Sequence, residues 1–193
     1  MFEELSLHIL DIAMNSLTAE ARTVQIMVAE HARRDELTIR VQDDGRGMDE
    51  ATLQRVLAAP VSTKQHRKKA IGLGLALLRQ TAEMCGGKFE VRSTPRMGTT
   101  VTATMKMSHV DRPPLGDLNA TILALCAANP AVDVQLHYLS GTEHFHFSSK
   151  EPPEKKVLSR PEKGIWSGEE KTNYEPGRTQ KVERESAAAG CLA

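Results

Sequence analysis

Asp11 and Asn15 stand four residues apart in "DIAMN", so on a helix they share one face, one turn apart. A carboxylate there can hold or activate a water or hydroxyl, and the amide oxygen beside it can join Mg²⁺, an oxygen-preferring cation that keeps several waters, to a phosphate. A second stretch, "DDGRG" at 43–47, follows the alternating run "ELTIRVQ". A strand ending in Asp43 can aim one carboxylate into a pocket while Gly45 and Gly47 let a ligand lie against bare backbone, and a carboxylate acceptor suits an exocyclic amine. The third stretch is "GLGLALL" at 72–78. Gly72 and Gly74 at a helix start would expose unpaired backbone N–H groups and the positive end of the dipole to an anion. Lys64, Arg67, Lys68 and Lys69 come just before. Taken singly, each stretch has a plainer reading: a solvated helix face, an Asp-Gly turn, a basic loop ahead of a helix.

The elements that carry these residues follow from periodicity. Leu7, Leu10, Ile12, Met14 and Leu17 recur at helix-like spacing over residues 3–21. "TVQIMVAE" and "DELTIRVQD" alternate with period two across "HARRD" and read as a hairpin. "DEATLQRVLAA" reads as a helix capped by Asp49 and stopped near Pro60, and "IGLGLALLRQTAEMCGG" as a helix ending on Gly86-Gly87. "KFEVRST" and "TTVTATMKM" supply two more strands. This order gives an α+β fold: a two-layer sandwich with a mixed, mostly antiparallel sheet and helices on one face. After a proline-rich link, a helix from about Gly116 to Ala128 precedes a second hairpin, with a turn at Ser140-Gly141 that pairs Leu136 with Phe145 and Val134 with Phe147.

Composition sets bounds on function. Lys plus Arg and Asp plus Glu both number 25, so no overall field argues for nucleic acid, and any phosphate binding must be local. Cys85, Cys126 and Cys191 fit neither a disulfide framework nor a CxxC metal site, which points to a reducing cytoplasm. Cys85 and Cys126 read as buried small apolar residues. The N-terminus lacks the basic region of a signal peptide, and no apolar run approaches the roughly 20 residues that span a bilayer, so no membrane partner is expected.

Together and in this order, the stretches resemble the GHKL ATPase superfamily of DNA gyrase, a heat-shock chaperone, mismatch-repair ATPases and the ATP-binding domain of sensor histidine kinases. Its N box is matched by "DIAMN", its glycine boxes by "DDGRG", "GLGLALL" and the "GTT" at 98–100, within residues 5–107. The resemblance implies the Bergerat ATP-binding fold, with ATP and Mg²⁺ as cofactors. It implies Asn15 as the Mg²⁺ ligand, Asp43 as the reader of the adenine amine, Gly45 and Gly47 bordering the base, and Thr99 supporting Asp43. The backbone at Gly72, Leu73, Gly74 and Leu75 would hold phosphates, and residues 60–71, with Lys64 and Arg67, would form an ATP lid. Two departures stand out. Asp11 occupies a position that is usually asparagine in sensor kinases and glutamate in ATPases and anti-sigma-type kinases, which favours a general base one methylene shorter than usual. Ala70 and Ile71 stand where sensor kinases often carry glycine and threonine.

The organisation expected is a GHKL domain over 1–108, a helix-plus-hairpin extension over 109–150, and a disordered tail over 151–193, where charges, prolines and glycines replace large apolar residues. The extension resembles that of a small group of stand-alone bacterial GHKL proteins with a "DRPPLGDL"-like link. His8, one turn before Asp11, reads as a packed or solvated helix histidine, with a phosphoacceptor or proton-shuttle role as the sharper alternative. His137, His144 and His146 share one side of the second hairpin, which invites a metal, against the plainer reading of exposed strand histidines. No phosphoacceptor helix is expected ahead of the N box. The functional expectation is therefore an ATP·Mg²⁺-binding protein with slow hydrolysis or phosphoryl transfer to a separate protein partner. A serine or histidine protein kinase and a non-catalytic ATP-gated regulatory module need the same pocket.

Overall fold

A computed structural model describes residues 4–58 and 73–151 of the chain. Helix α1 (Leu5–Thr18) is followed by strand β1 (Thr23–His31), a 3-10 turn (Ala32–Arg34) and strand β2 (Glu36–Asp43). Helices α2 (Glu50–Leu57) and α3 (Leu73–Met84), strands β3 (Phe89–Thr94) and β4 (Gly98–Lys106), helix α4 (Leu118–Ala128) and strands β5 (Asp133–Ser140) and β6 (Glu143–Ser148) complete the order. The anticipated Asp49 cap is present: its carboxylate accepts from Thr52 N–H at 2.7 Å.

One six-stranded sheet runs β3-β4-β2-β1-β5-β6. Among these strands only the β1–β5 pairing is parallel, because β5 returns through the α4 crossover whereas its neighbours are joined as hairpins or adjacent antiparallel strands. The pairing lines up one apolar face. Phe147, Leu136, Ile26, Val41, Val101 and Val91 form a row across all six strands, and Phe145, Tyr138, Val28, Ile39, Ala103 and Phe89 form the next. Helix α1 lies over β1 and β2, α3 over β3 and β4, and α4 beside α1 over β5. Leu5, Ile9, Ile12 and Ala13 of α1 join Leu78 and Ala82 of α3 and Ile122 and Leu125 of α4 in a single core with those rows. The fold is thus the α+β two-layer sandwich read from the sequence.

The second hairpin corrects its expected register. The turn falls at Gly141-Thr142, so Leu136 pairs with Phe147 and Tyr138 with Phe145, two residues from the anticipated alignment. Gly141 has φ +64, and a two-residue turn that leads with glycine at positive φ matches the twist of the strands. Because the slip is even, every side chain keeps its face, and Tyr138 joins the core.

Residues 109–150 are built into the same two layers. Glu4, the N-cap of α1, makes no side-chain cap hydrogen bond. Instead the first-turn donors Leu5 N–H and Ser6 N–H are accepted by the carbonyls of Pro114 and Leu115, both at 2.9 Å. The link after β4 therefore does the capping of α1, and α4 then buries its apolar side against it. Among the described residues no helix is long and apolar enough to cross a membrane.

Ile122 is fully buried at the α4 contact with this core. Ile122→Ala is expected to lower stability by about 2–5 kcal/mol, read as a drop in the denaturant midpoint at unchanged slope. An unchanged midpoint would mean that α4 is not part of the cooperative core.

Candidate functional site

The C-terminal end of β2 delivers Asp43 to the junction of α1, the glycine turn and β4. Asp43 is 9% exposed, so burial of its carboxylate demands partners. Oδ1 accepts Gly45 N–H at 2.9 Å and Thr99 N–H at 3.2 Å, and Oδ2 accepts the Ser16 hydroxyl at 2.8 Å. Thr99 thus reaches Asp43 through its backbone, while its hydroxyl turns to Ser93 Oγ at 2.9 Å. Asp44 instead holds the sheet together at this end. Its Oδ1 accepts Arg22 N–H at 2.7 Å and Thr23 N–H at 2.8 Å, tying the end of β2 to the start of β1. Adjacent carboxylates leave this strand because one is turned into the site and the other anchors the neighbouring strand.

The glycine turn is pinned to the β3–β4 hairpin. Met48 N–H donates to Ser93 Oγ at 2.8 Å and Arg96 N–H to Arg46 O at 2.7 Å. Gly47 has φ +61, and a Cβ there would overlap the Thr94 carbonyl. Gly45 is buried against Ala19.

Asp11 and Asn15 lie on the half-buried side of α1, as their spacing requires. Neither side chain makes a hydrogen bond among the described residues, which leaves a carboxylate and an amide oxygen available on adjacent turns. Burial raises the Asp11 pKa above the ordinary carboxylate range. Asp11 also abuts the first turn of α3: a Cβ built on Gly74 would overlap its Oδ2. Absence of a side chain at Gly74 is therefore what lets the carboxylate stand beside the first-turn backbone donors of α3. Leu75 is 8% exposed and faces the core, so only its backbone belongs to that helix end. Leu73 opens the helix. Lys64, Arg67, Gly72 and the whole 60–71 segment lie outside the described residues.

Other candidates resolve differently. His8 is fully buried, and burial drives its pKa down to about 4. Its Nε2 meets Thr81 Oγ1 at 3.3 Å, and that hydroxyl also donates to Leu77 O at 3.0 Å. It is a neutral packing residue between α1 and α3. The histidines of the second hairpin do share the sheet face away from the helices, where His137 pairs with His146 and Leu139 with His144. The His144 ring stacks on His137 at 5.8 Å and the His146 ring tilts against it at 4.5 Å. Burial, then the two neighbouring imidazoles, push the His137 pKa down to about 4. Among the described residues no group of three His, Cys, Asp or Glu is arranged to hold a metal ion. Cys85 is buried as expected, whereas Cys126 is only partly so.

Two residues of this constellation were missed in the sequence. Ser16 carries a legible signal: it continues the stripe of Ile9, Ile12 and Ala13, where a buried hydroxyl needs a partner. Ser93 carries none beyond its place on an alternating strand.

Residues 1–109 match the family described as histidine kinase-, DNA gyrase B- and HSP90-like ATPase. The chain belongs to this GHKL family. Among curated relatives, it is 30% identical over 100 residues to sporulation kinase D of Bacillus subtilis (strain 168), covering 52% of this chain and 19% of that one. It is 34% identical over 88 residues to a probable C4-dicarboxylate sensor kinase of Halalkalibacterium halodurans, covering 46% of this chain and 16% of that one. The chain thus spans under a fifth of the length of these kinases. Among solved structures, the N-terminal domain of a DNA repair protein superposes with a TM-score of 0.54 at 13% identity, covering 81% of this chain and 55% of that one, a likeness of fold.

The Asp11–Gly74 approach makes a coupling prediction. Alanine is otherwise favoured over glycine in a helix by about 1 kcal/mol, so any destabilisation by Gly74→Ala should come chiefly from the Asp11 carboxylate. In an Asp11→Ala background the same change should cost less, with a coupling of about 0.5–3 kcal/mol in denaturant melts. Equal cost in both backgrounds would place the crowding elsewhere.

Proposed function

We propose that this GHKL protein binds ATP·Mg²⁺ and slowly hydrolyses it or transfers its γ-phosphoryl group to a separate protein partner. The observation that carries the reading is the convergence of a buried, three-donor Asp43 with the Asp11/Asn15 face of α1 and the first turn of α3. Asp43 would accept from the adenine amine. Gly45 and Gly47 would border the base, and the backbone at Gly72, Leu73, Gly74 and Leu75 would donate to phosphate oxygens, with Lys64 and Arg67 of the basic 60–71 segment adding charge.

The donor chemistry suits Mg²⁺, since a lone amide oxygen with a carboxylate one turn away matches a cation that takes most of its remaining ligands from water and phosphate. Asn15 would hold it, and the ion would neutralise charge on the phosphates. Asp11 would orient the attacking hydroxyl and take its proton. A carboxylate whose pKa is raised by burial is a better base than an exposed aspartate, because its proton affinity lies nearer the working pH. The sensor and sporulation kinases among its relatives favour a protein as the phosphoryl acceptor. The carboxylate at position 11 favours a nucleophile that needs a general base, water or a serine hydroxyl. Phosphoprotein or free phosphate as the product separates these two, and a switch that only binds nucleotide yields neither.

Asp11→Asn should leave ATP affinity unchanged and lower phosphate release by about 10²–10⁴-fold, with binding measured on the same samples. Undiminished release in the variant would remove Asp11 from the chemistry.

A further inference from the structure

Ser16 lies outside the residue types that contact nucleotide in the proposed function, yet it makes the shortest hydrogen bond to Asp43, at 2.8 Å. It is 3% exposed and enters from α1, whereas the donors to Oδ1 come from the glycine turn and β4. A carboxylate offers about four lone-pair positions. Gly45 and Thr99 occupy both sites on Oδ1, and Ser16 occupies one on Oδ2, so a single acceptor site on Oδ2 is left over. The side-chain torsion of an aspartate is intrinsically broad. With both oxygens held from different elements, the carboxylate plane is fixed and the remaining acceptor has one direction.

We propose that Ser16 is a positioning residue for base selection, which acts through Asp43 by fixing the one acceptor that meets the base. This rests on the reading that Asp43 accepts from the adenine amine. The leftover site can only accept, so it rewards a purine with an amine at that edge and penalises one that presents an oxygen or a hydrogen there. Without the Ser16 hydroxyl, Oδ2 has two acceptor sites to satisfy and can pivot about Oδ1, which Gly45 and Thr99 still hold. The amine contact should then lose its directional advantage, while base stacking and phosphate contacts are untouched. Ser16 Oγ also stands 3.5 Å from Ile12 O, a longer contact that gives the hydroxyl no comparable alternative.

The test compares ATP with purine riboside triphosphate, which lacks the 6-amino group, on the full chain with Mg²⁺. A hydrogen bond to a charged acceptor corresponds to about ten-fold or more in affinity, so the unaltered protein should prefer ATP by that margin. In Ser16→Ala the preference should shrink several-fold through weaker ATP binding alone, with the analogue bound as before. Ser16→Cys, which keeps a weak donor in nearly the same volume, should fall between. Equal weakening of both nucleotides, or an unchanged preference, overturns the role of Ser16 and leaves the nucleotide site intact. An unaltered protein that binds both nucleotides equally overturns the amine-reading role of Asp43 together with this inference. One that binds neither overturns the nucleotide site itself.

Discussion

A carboxylate taken almost out of water must be met by donors, and Asp43 imposes that requirement on the rest of the molecule. Its partners arrive from α1, from the turn after β2 and from the start of β4, three parts of the chain far apart in sequence. Meeting it requires β4 to pair with β2 in one register, so that Thr100 lies opposite Gln42 and Thr99 comes within reach of the carboxylate. It also requires α1 to lie over β1 and β2 with Ser16 turned inward. The pinned glycine turn and the Ser93 bridge follow from the same demand, because a wandering turn would take Gly45 N–H with it.

Helix α1 is where packing and the proposed chemistry share one element. Its inward stripe, Ile9, Ile12, Ala13 and Ser16, fixes the helix on the sheet, and its half-buried side carries Asn15 and sets Asp11 against the start of α3. The carbonyls of Pro114 and Leu115 close its N-terminal turn, and α4 packs alongside. Anything that displaces the link or α4 therefore acts directly on the helix that carries the candidate catalytic face. Asp11 illustrates the cost of that face. A carboxylate whose pKa is raised on folding is penalised in the native state at neutral pH, and the penalty is relieved as pH falls through the raised value.

Much of this was legible in the sequence because it is local. Period-two and helical spacing placed every described helix and strand, and Asp49 marked its own helix start. The spacing of Asp11 and Asn15 fixed their shared face. What escaped was settled by non-local geometry. The second hairpin slid by two residues because a lone glycine can open or close a two-residue turn, and either choice keeps the same faces. Ser16 continues the buried stripe of α1, but its partner is fixed only where the sheet brings Asp43 over it. Gly74 read as an anion-binding glycine, and its clearance for Asp11 depends on how α1 and α3 cross. The three histidines shared a face as read, but ring stacking in place of convergence could not be told from spacing.

The central claim is that this junction selects an adenine nucleotide. Titration calorimetry of the full chain with ATP·Mg²⁺ and with GTP·Mg²⁺ tests it most directly. The account predicts saturable one-to-one binding of ATP and a loss of about ten-fold or more for GTP, whose carbonyl oxygen would face the Asp43 carboxylate where an amine donor is required. Equal affinity for the two nucleotides, or no binding of ATP, would contradict it.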